Sequence, residues 1–518
     1  MRLKRGSTSS GRSPRSEQGR FAPLAAVLLL AATGVAALLF SSRQGWTLWY
    51  GDALAHLNIA RRILDSRTPG FEQTGTVWLP LPHWLMLPFA GNDALWRSGM
   101  AGAYPAVAAY VLAGWFLFLA LRRIFGTAPA FAGLAVFGLN PNLLYLQSTP
   151  MTEPLLLACW MAVLWLTVRF RETQSRADLI GCALAALAGT LTRYDGWFFL
   201  PFVAPYILGV SRKHRLANAA IFSVIAGAGP VFWLAYNGYY HSNPLEFYNG
   251  PYSAKAIYQR ALDQGMARYP GDHDWPKAFQ HYLAAARHVL GWPLLGFCLA
   301  GIAAAAWKRA FWPLLLLALG PVFYLWSLYS SATPIFVPDL WPHSWYNTRY
   351  ALSALPLASF AVAALVPSWR RAVVALAVAA AALAIWAVHP APDAWICWKE
   401  SQVNSTGRRA WTGQAAACLK GWYRPGDGIL TSFGDLAGIC REAGIPLRET
   451  LHEGNGPAWL GATARPDLML FEHWAICQSG DKVAAAMDKT RKSGPRWERV
   501  KMIAEKNSPV IEIWRRIP

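Results

Sequence analysis

Asp52 stands four residues before His56 in the run Gly51–Leu64, and Ala60, Ile63 and Leu64 continue an apolar stripe beyond them. On a helix, residues i and i+4 share a face, so this carboxylate and imidazole would point into one space. A carboxylate placed there could take the proton from an attacking hydroxyl; the same Asp also suits a helix start, where it would cap free backbone N–H groups. Glu153, followed by Pro154, offers a second acid, and its plainer reading is again a helix start complemented by negative charge. His56 could orient a substrate, or make an ordinary polar contact inside a bundle. With Asp52 and Glu153 it could also hold a divalent cation such as magnesium or manganese. His83, set among prolines and tryptophans, reads as interfacial.

Positive charge accompanies these acids. Arg193 and Asp195 lie two apart in Leu191-Thr-Arg-Tyr-Asp-Gly196, and either form a mutual salt bridge or leave Arg193 free to bind a phosphate. Arg349, in Trp345-Tyr-Asn-Thr-Arg-Tyr350, is the better phosphate ligand, since a guanidinium can grip two oxygens at once. The alternative is an arginine snorkelling from a span end. Tyr248, Tyr252 and Lys255, in a long polar loop, could line a sugar site. Asp272 and Asp274 flank His273 without a metal-ligand spacing, so a solvated loop is the expectation there.

These residues must be positioned by a membrane protein. The 518 residues are 54% hydrophobic and only 15% charged, with 27 Trp, which is too apolar for a soluble chain of this size. The net charge of +20 would suggest nucleic acid in a soluble protein; here the basic residues cluster between apolar runs, so no nucleic-acid partner is expected. A span needs about 20 apolar residues, and Lys/Arg flanks mark its inner end. The basic residues before the apolar run 21–40 predict an uncleaved first span with a cytoplasmic N-terminus. Further runs at 99–121, 128–147, 154–168, 179–191, 197–210, 216–236, 290–307, 311–329, 350–366 and 372–388 give about eleven spans. Residues 77–90 are too short and proline-broken to cross. Every basic doublet then falls on one side, which places Asp52, Glu153, Arg193, Asp195, the 239–289 loop and Arg349 outside.

From about residue 390 the composition turns globular. Strands are expected at 428–432, 447–451, 467–471 and 510–514, with helices at 435–443 and 482–492, a small α/β domain. Cys397, Cys418, Cys440 and Cys477 fall in it, and an external domain permits two disulfides, with neighbours in sequence (Cys397–Cys418, Cys440–Cys477) as the simplest pairing. The expected organisation is a basic cytoplasmic tail (1–20), a polytopic α-helical membrane domain (21–389) and an extracytoplasmic α/β domain (390–518), in the cell inner (plasma) membrane.

The pattern resembles the membrane glycosyltransferases of the C superfamily, especially bacterial relatives of protein O-mannosyltransferases and aminoarabinose transferases. The residues that carry it are the first-loop acid in Gly51-Asp-Ala-Leu-Ala-His-Leu-Asn-Ile-Ala-Arg61, the Thr152-Glu153-Pro154 of the second loop, Leu191-Thr-Arg-Tyr-Asp-Gly196, and Arg349-Tyr350 before a Pro356-containing span. The resemblance covers roughly residues 21–389. It implies transfer of a sugar, with inversion, from a polyprenyl-phosphate carrier to a protein, lipid or glycan acceptor at the external face. Asp52 would be the base, Glu153 its assistant or a metal ligand, and Arg349 or Arg193 the partner of the departing phosphate. Many relatives carry Asp-Glu at the first position, whereas Ala53 follows Asp52 here. The main alternative is a transporter or flippase for a lipid-linked sugar; no internal repeat of the kind common in transporters is present.

Overall fold

The computed structural model of the chain describes residues 21–330, 333–366, 386–490, 495–506 and 508–517. The basic tail and most of the span expected at 372–388 lie outside the described residues. Six helices among these residues are long and apolar enough to cross a membrane: Ala22–Arg43, Met100–Phe125, Glu153–Thr173, Arg215–His241, Phe311–Tyr329 and the run Thr348–Leu365. Trp275–Leu290 and Trp292–Trp307 make a seventh if this pair, bent by 106°, counts as one span. Three of the expected spans are shorter helices, Thr127–Gly138, Arg176–Thr190 and Asp195–Val210. The longest of them, at 16 residues, covers about 24 Å, less than the ~30 Å of a hydrocarbon core. Length and composition therefore support six or seven of the eleven expected spans among the described residues.

A lipid-facing surface is visible on the first helix. Ala22–Arg43 buries Ala26, Leu30, Gly34 and Leu38 on one side and leaves Leu24, Leu28, Leu29, Val35 and Leu39 about half exposed on the other. In water such a face would be an aggregation hazard; in a bilayer it meets its own kind. Inside the bundle, small residues let helices approach closely. A Cβ on Gly196 would sit 2.4 Å from the Gly189 carbonyl oxygen, so only glycine lets the Asp195–Val210 helix start against the preceding one. That contact closes the turn that carries Arg193.

The expected solvated loop is in fact ordered. It contains the helices Ala254–Asp263 and Trp275–Leu290, and the second packs Ala278, Tyr282, Ala285 and Val289 into the main core. Asp274 caps that helix by accepting from the Lys277 N–H at 3.0 Å.

The C-terminal region is α/β, as its alternation implied. Its sheet comprises β1 (Ile429–Thr431), β2 (Thr450–Leu451), β3 (Trp474–Gln478), β4 (Trp497–Ile503) and β5 (Ile511–Arg516), in the order β2-β1-β3-β5-β4. The first three are parallel and the last two antiparallel. Two strand expectations need correction: residues 447–451 begin in the 3-10 turn Leu447–Glu449, and only Thr450–Leu451 form a strand. Residues 467–471 begin in the helical turn Pro466–Met469, because Pro466 at a helix start favours the turn; the central strand follows at Trp474. β4 was missed, since its half-exposed, charged alternation carries little apolar signal.

The largest departure is a 27-residue helix, Ile396–Trp422, where sequence suggested no single element. It overturns the expected disulfides. Cys397 lies in its first turn and Cys418 in its last, and 21 residues of helix separate them by about 30 Å, several times the span of a disulfide. Cys440 packs in one core cluster of the domain and Cys477 in another, and all four thiols are free.

The same helix removes the expected boundary at 390 as a physical seam. Trp395, Ile396, Cys397 and Trp398 belong to the core of the membrane domain. Farther along, Trp411, Ala415 and Leu419 share a second core with Leu57, Ala60, Met86 and Trp96 of the membrane domain and with Ile429 and Trp474 of the sheet. Polar contacts fasten the seam. Buried Asp65 accepts from Arg61 Nε at 2.9 Å, the Leu447 N–H at 3.2 Å and Arg448 Nη1 at 3.0 Å, and Gln73 Nε2 donates to the Gly454 carbonyl at 2.7 Å.

Candidate active site

Residues far apart in sequence converge on one guanidinium. Arg349 sits in the 3-10 turn Thr348–Ala354, where the chain enters the Leu355–Leu365 helix. Its Nη2 meets Asp52 Oδ2 at 2.5 Å, its Nε meets Glu153 Oε1 at 3.1 Å, and its Nη1 meets Glu400 Oε1 at 3.1 Å. Three elements deliver the acids: Asp52 the first turn of Gly51–Leu64, Glu153 the first residue of Glu153–Thr173, and Glu400 the second turn of Ile396–Trp422. The rings of Tyr50 and Tyr350 flank the guanidinium at 5.3 and 5.0 Å.

Arg193 adds a second layer. Its Nη1 reaches the same Glu153 Oε1 at 3.1 Å and Thr152 Oγ1 at 2.9 Å, its Nε pairs with Asp195 at 3.1 Å, and its Nη2 donates to Tyr324 Oη at 3.1 Å. The sequence reading of Arg193 and Asp195 as a mutual salt bridge is therefore realised, and as a phosphate ligand Arg193 would have to share its nitrogens. Neither Asp52 nor Glu153 caps its helix through its side chain. Tyr50 and Thr152 occupy the cap positions without side-chain capping bonds, and both acids turn to arginine instead.

Burial grades the acids. The Asp52 side chain is 42% exposed, those of Glu153 and Glu400 only 7% and 2%. Glu400 is the most tightly held: it accepts from the Asn347 N–H at 2.9 Å, the Thr348 N–H at 2.7 Å and Thr348 Oγ1 at 2.5 Å. Burial pushes its carboxyl up from the usual carboxylate range, while Arg349 and these donors pull it back. Glu400 escaped the sequence reading because it lies past the apparent domain boundary. The one local hint was the apolar Trp395-Ile-Cys-Trp398 just upstream, which announces docking against the membrane domain.

Beside Arg349 a small cavity is lined by Glu153, Asp195, Tyr324 and Tyr350 together with the apolar Leu156, Trp160 and Phe199. Leu156, Trp160 and Phe199 also line a second cavity, which continues past Val163, Ala186 and Val203 into the bundle. One oxygen of Glu153, Oε2, is buried without a hydrogen-bond partner.

Other candidates lie elsewhere. Lys255 stands over the Tyr248 ring at 5.0 Å, and Tyr248 and Tyr252 are about half exposed; among the described residues no hydrogen bond or ion pair joins the three to the Arg349 cluster. His56 is buried, but its Nδ1 bonds His83 Nε2 at 2.8 Å and its ring packs on Trp78. His83 is thus a buried partner of His56, where an interfacial position was expected. A metal set of Asp52, His56 and Glu153 is not assembled: among the described residues no group of three or more His, Cys, Asp or Glu side chains is placed to hold a metal ion. Arg349 occupies the carboxylates that would have formed it.

The His56–His83 pair yields a pH prediction. Burial first, then Arg193 and Arg349, lowers the His56 imidazole from 6.5 to about 3, and burial lowers His83 as well. Between these values the unfolded imidazole binds a proton that the folded one refuses. The stability from neutral His56 is therefore complete above 6.5 and is lost as pH falls. By pH 5 the loss is about 2 kcal/mol. Tm should fall between pH 7 and 5, and more shallowly in His56→Gln; equal slopes would show that His56 titrates normally.

Comparison with known proteins agrees with this architecture. Residues 84–236 match the sequence model of a family described as dolichyl-phosphate-mannose-protein mannosyltransferase. None of the curated proteins matches the chain. Among solved structures, ArnT from Cupriavidus metallidurans in the apo state superposes with a TM-score of 0.52 at 15% identity, covering 93% of this chain and 98% of that one. The same protein bound to undecaprenyl phosphate gives 0.48 at 12%, covering 92% and 97%. The oligosaccharyltransferase AglB from Archaeoglobus fulgidus, with an inhibitory peptide and a dolichol-phosphate, gives 0.46 at 13%, covering 90% and 70%. At such identities the likeness to ArnT is one of fold, and residues 84–236 carry the match to the mannosyltransferase family model.

Proposed function

We propose that the protein is a glycosyltransferase that moves a sugar from a polyprenyl-phosphate carrier to an acceptor hydroxyl at the external membrane face. The observation that carries this reading is the half-exposed Asp52 held against Arg349, beside a cavity lined by both charged and apolar side chains. A donor with a phosphate head and a hydrocarbon tail calls for both kinds of side chain at its site. The family whose sequence model matches residues 84–236 is described by a dolichyl-phosphate-linked mannose donor, which supports a polyprenyl-phosphate donor here.

In the proposed reaction Asp52 accepts the proton of the acceptor hydroxyl as its oxygen attacks the anomeric carbon. The bond from that carbon to the phosphate oxygen breaks, its electron pair stays on the phosphate, and the configuration inverts. Positive charge must stand where that negative charge develops, and Arg349, with Arg193 behind it, provides it. Glu153 links the two guanidiniums. No step assigned to these residues needs a metal ion.

The test is an assay of the purified full chain with a panel of polyprenyl-phosphate sugars and hydroxyl acceptors. At least one donor should give transfer with release of free polyprenyl phosphate, and nucleotide sugars should give none. Release from no member of the panel, or transfer from a nucleotide sugar, would overturn the reading.

A further inference from the structure

The three carboxylates on Arg349 are not equivalent, and the difference determines which of them can leave. Glu400 is buried and fixed by two backbone N–H groups and the Thr348 hydroxyl. Glu153 is buried and shared with Arg193. Both would lose their solvation substitutes if the guanidinium moved, which holds Arg349 in place from behind. Asp52 is different. Its side chain is 42% exposed, and the Arg349 contact is its one hydrogen bond or ion pair among the described residues. A carboxylate so placed exchanges its ion pair for water at small cost.

The same contact is at odds with the role proposed for Asp52. The oxygen that Arg349 holds is not available to an acceptor hydroxyl, and each of the three guanidinium nitrogens already donates to an acid. A phosphate arriving at Arg349 competes most easily for Nη2, the nitrogen that holds an exposed acid, and Asp52 is the one free to go. Resting on the donor class proposed above, we propose that Arg349 is a substrate-operated latch. The donor phosphate replaces Asp52 on Nη2 and so releases the base only when a leaving group is in place, while Glu400 and Glu153 keep the guanidinium still. Glu400 is a positioning residue in this scheme. It gives the C-terminal region, whose first helix carries it, a direct part in the site.

The latch can be read without turnover, by carboxyl labelling of the detergent-solubilised full chain with a carbodiimide and an amine, followed by peptide mapping. Asp393, whose side chain is 71% exposed, serves as the internal reference. Adding a short-chain polyprenyl phosphate should raise labelling of Asp52 relative to Asp393 about threefold, the scale of a half-exposed ion pair. In Arg349→Gln the labelling should be high with and without the lipid. Binding of the lipid is followed separately by its thermal shift. Bound lipid with unchanged or lower labelling of Asp52 overturns the latch and leaves the donor class standing. Absence of any binding by the wild-type chain overturns the donor class and the latch together. Labelling in Arg349→Gln as low as in the parent would show that something other than Arg349 holds Asp52.

Discussion

Asp52→Asn should lower sugar transfer about 10²–10⁴-fold, the usual contribution of a general base, in a protein that still inserts and folds. The structure sharpens this expectation. Tyr50 occupies the helix cap position and Asp52 makes no capping bond, so the substitution costs the helix only the interaction of one carboxylate with its dipole. Asn keeps an oxygen that can accept from Arg349 Nη2. Arg349 retains Glu153 and Glu400, both buried, so the guanidinium stays where it is. What disappears is the capacity to take a proton. Lipid-phosphate binding should therefore survive, or improve, because a competing negative charge has gone. Rate measurement at saturating donor, with a thermal shift as the folding control, decides the matter. Transfer at the parental rate would make Asp52 a structural acid. A flippase using the same acids would release no free carrier phosphate in either protein.

The parts of the site that were legible in the sequence are those in short, locally anomalous contexts. Asp52, Glu153, Arg193 and Arg349 are ionisable residues beside apolar runs, and burying such groups at membrane depth is costly enough that each invites a functional reading. Their convergence followed from placing every basic doublet on one side. The Arg193–Asp195 pair was legible as well, but which acids meet on Arg349 was not. Glu400 reaches the site through a tertiary contact from beyond the apparent domain boundary, and nothing in its neighbours' types announces a carboxylate 3.1 Å from Arg349. His56 shows the converse. Its i, i+4 relation to Asp52 is correct on the helix, yet Trp78 and His83 draw the ring away. The run read as one span at 128–147 is broken instead, because the helix Thr127–Gly138 ends and Asn140 caps a second one, Pro141–Leu146. The disulfide pairing failed for a simpler reason: sequence proximity is no guide to distance once one long helix separates the pair.

Arg349→Ala should impair both stability and transfer, and it acts in two separable ways. Structurally, it leaves Glu153 and Glu400 buried without their shared cation. Removing one partner from a buried ionic cluster typically costs about 3–5 kcal/mol, because the remaining charges stay desolvated. The melting temperature should fall sharply. Functionally, it removes the positive charge that faces the leaving phosphate, a loss of about 10²–10³ in rate when a preorganised donor is deleted. A second change separates the two. In Arg349→Ala combined with Glu400→Gln, one of the stranded charges is gone. Gln can still accept from the Thr348 N–H and hydroxyl, which share one oxygen of Glu400, while the Asn347 N–H loses its partner, so only part of the lost stability should return. Transfer should not, since no cation has been restored. Arg349→Lys makes the opposite test, keeping one positive charge but lacking the fork that reaches three acids, and should hold more activity than Arg349→Ala. If the double variant regains transfer along with stability, Arg349 is only a structural counter-ion and the leaving phosphate is stabilised by another group.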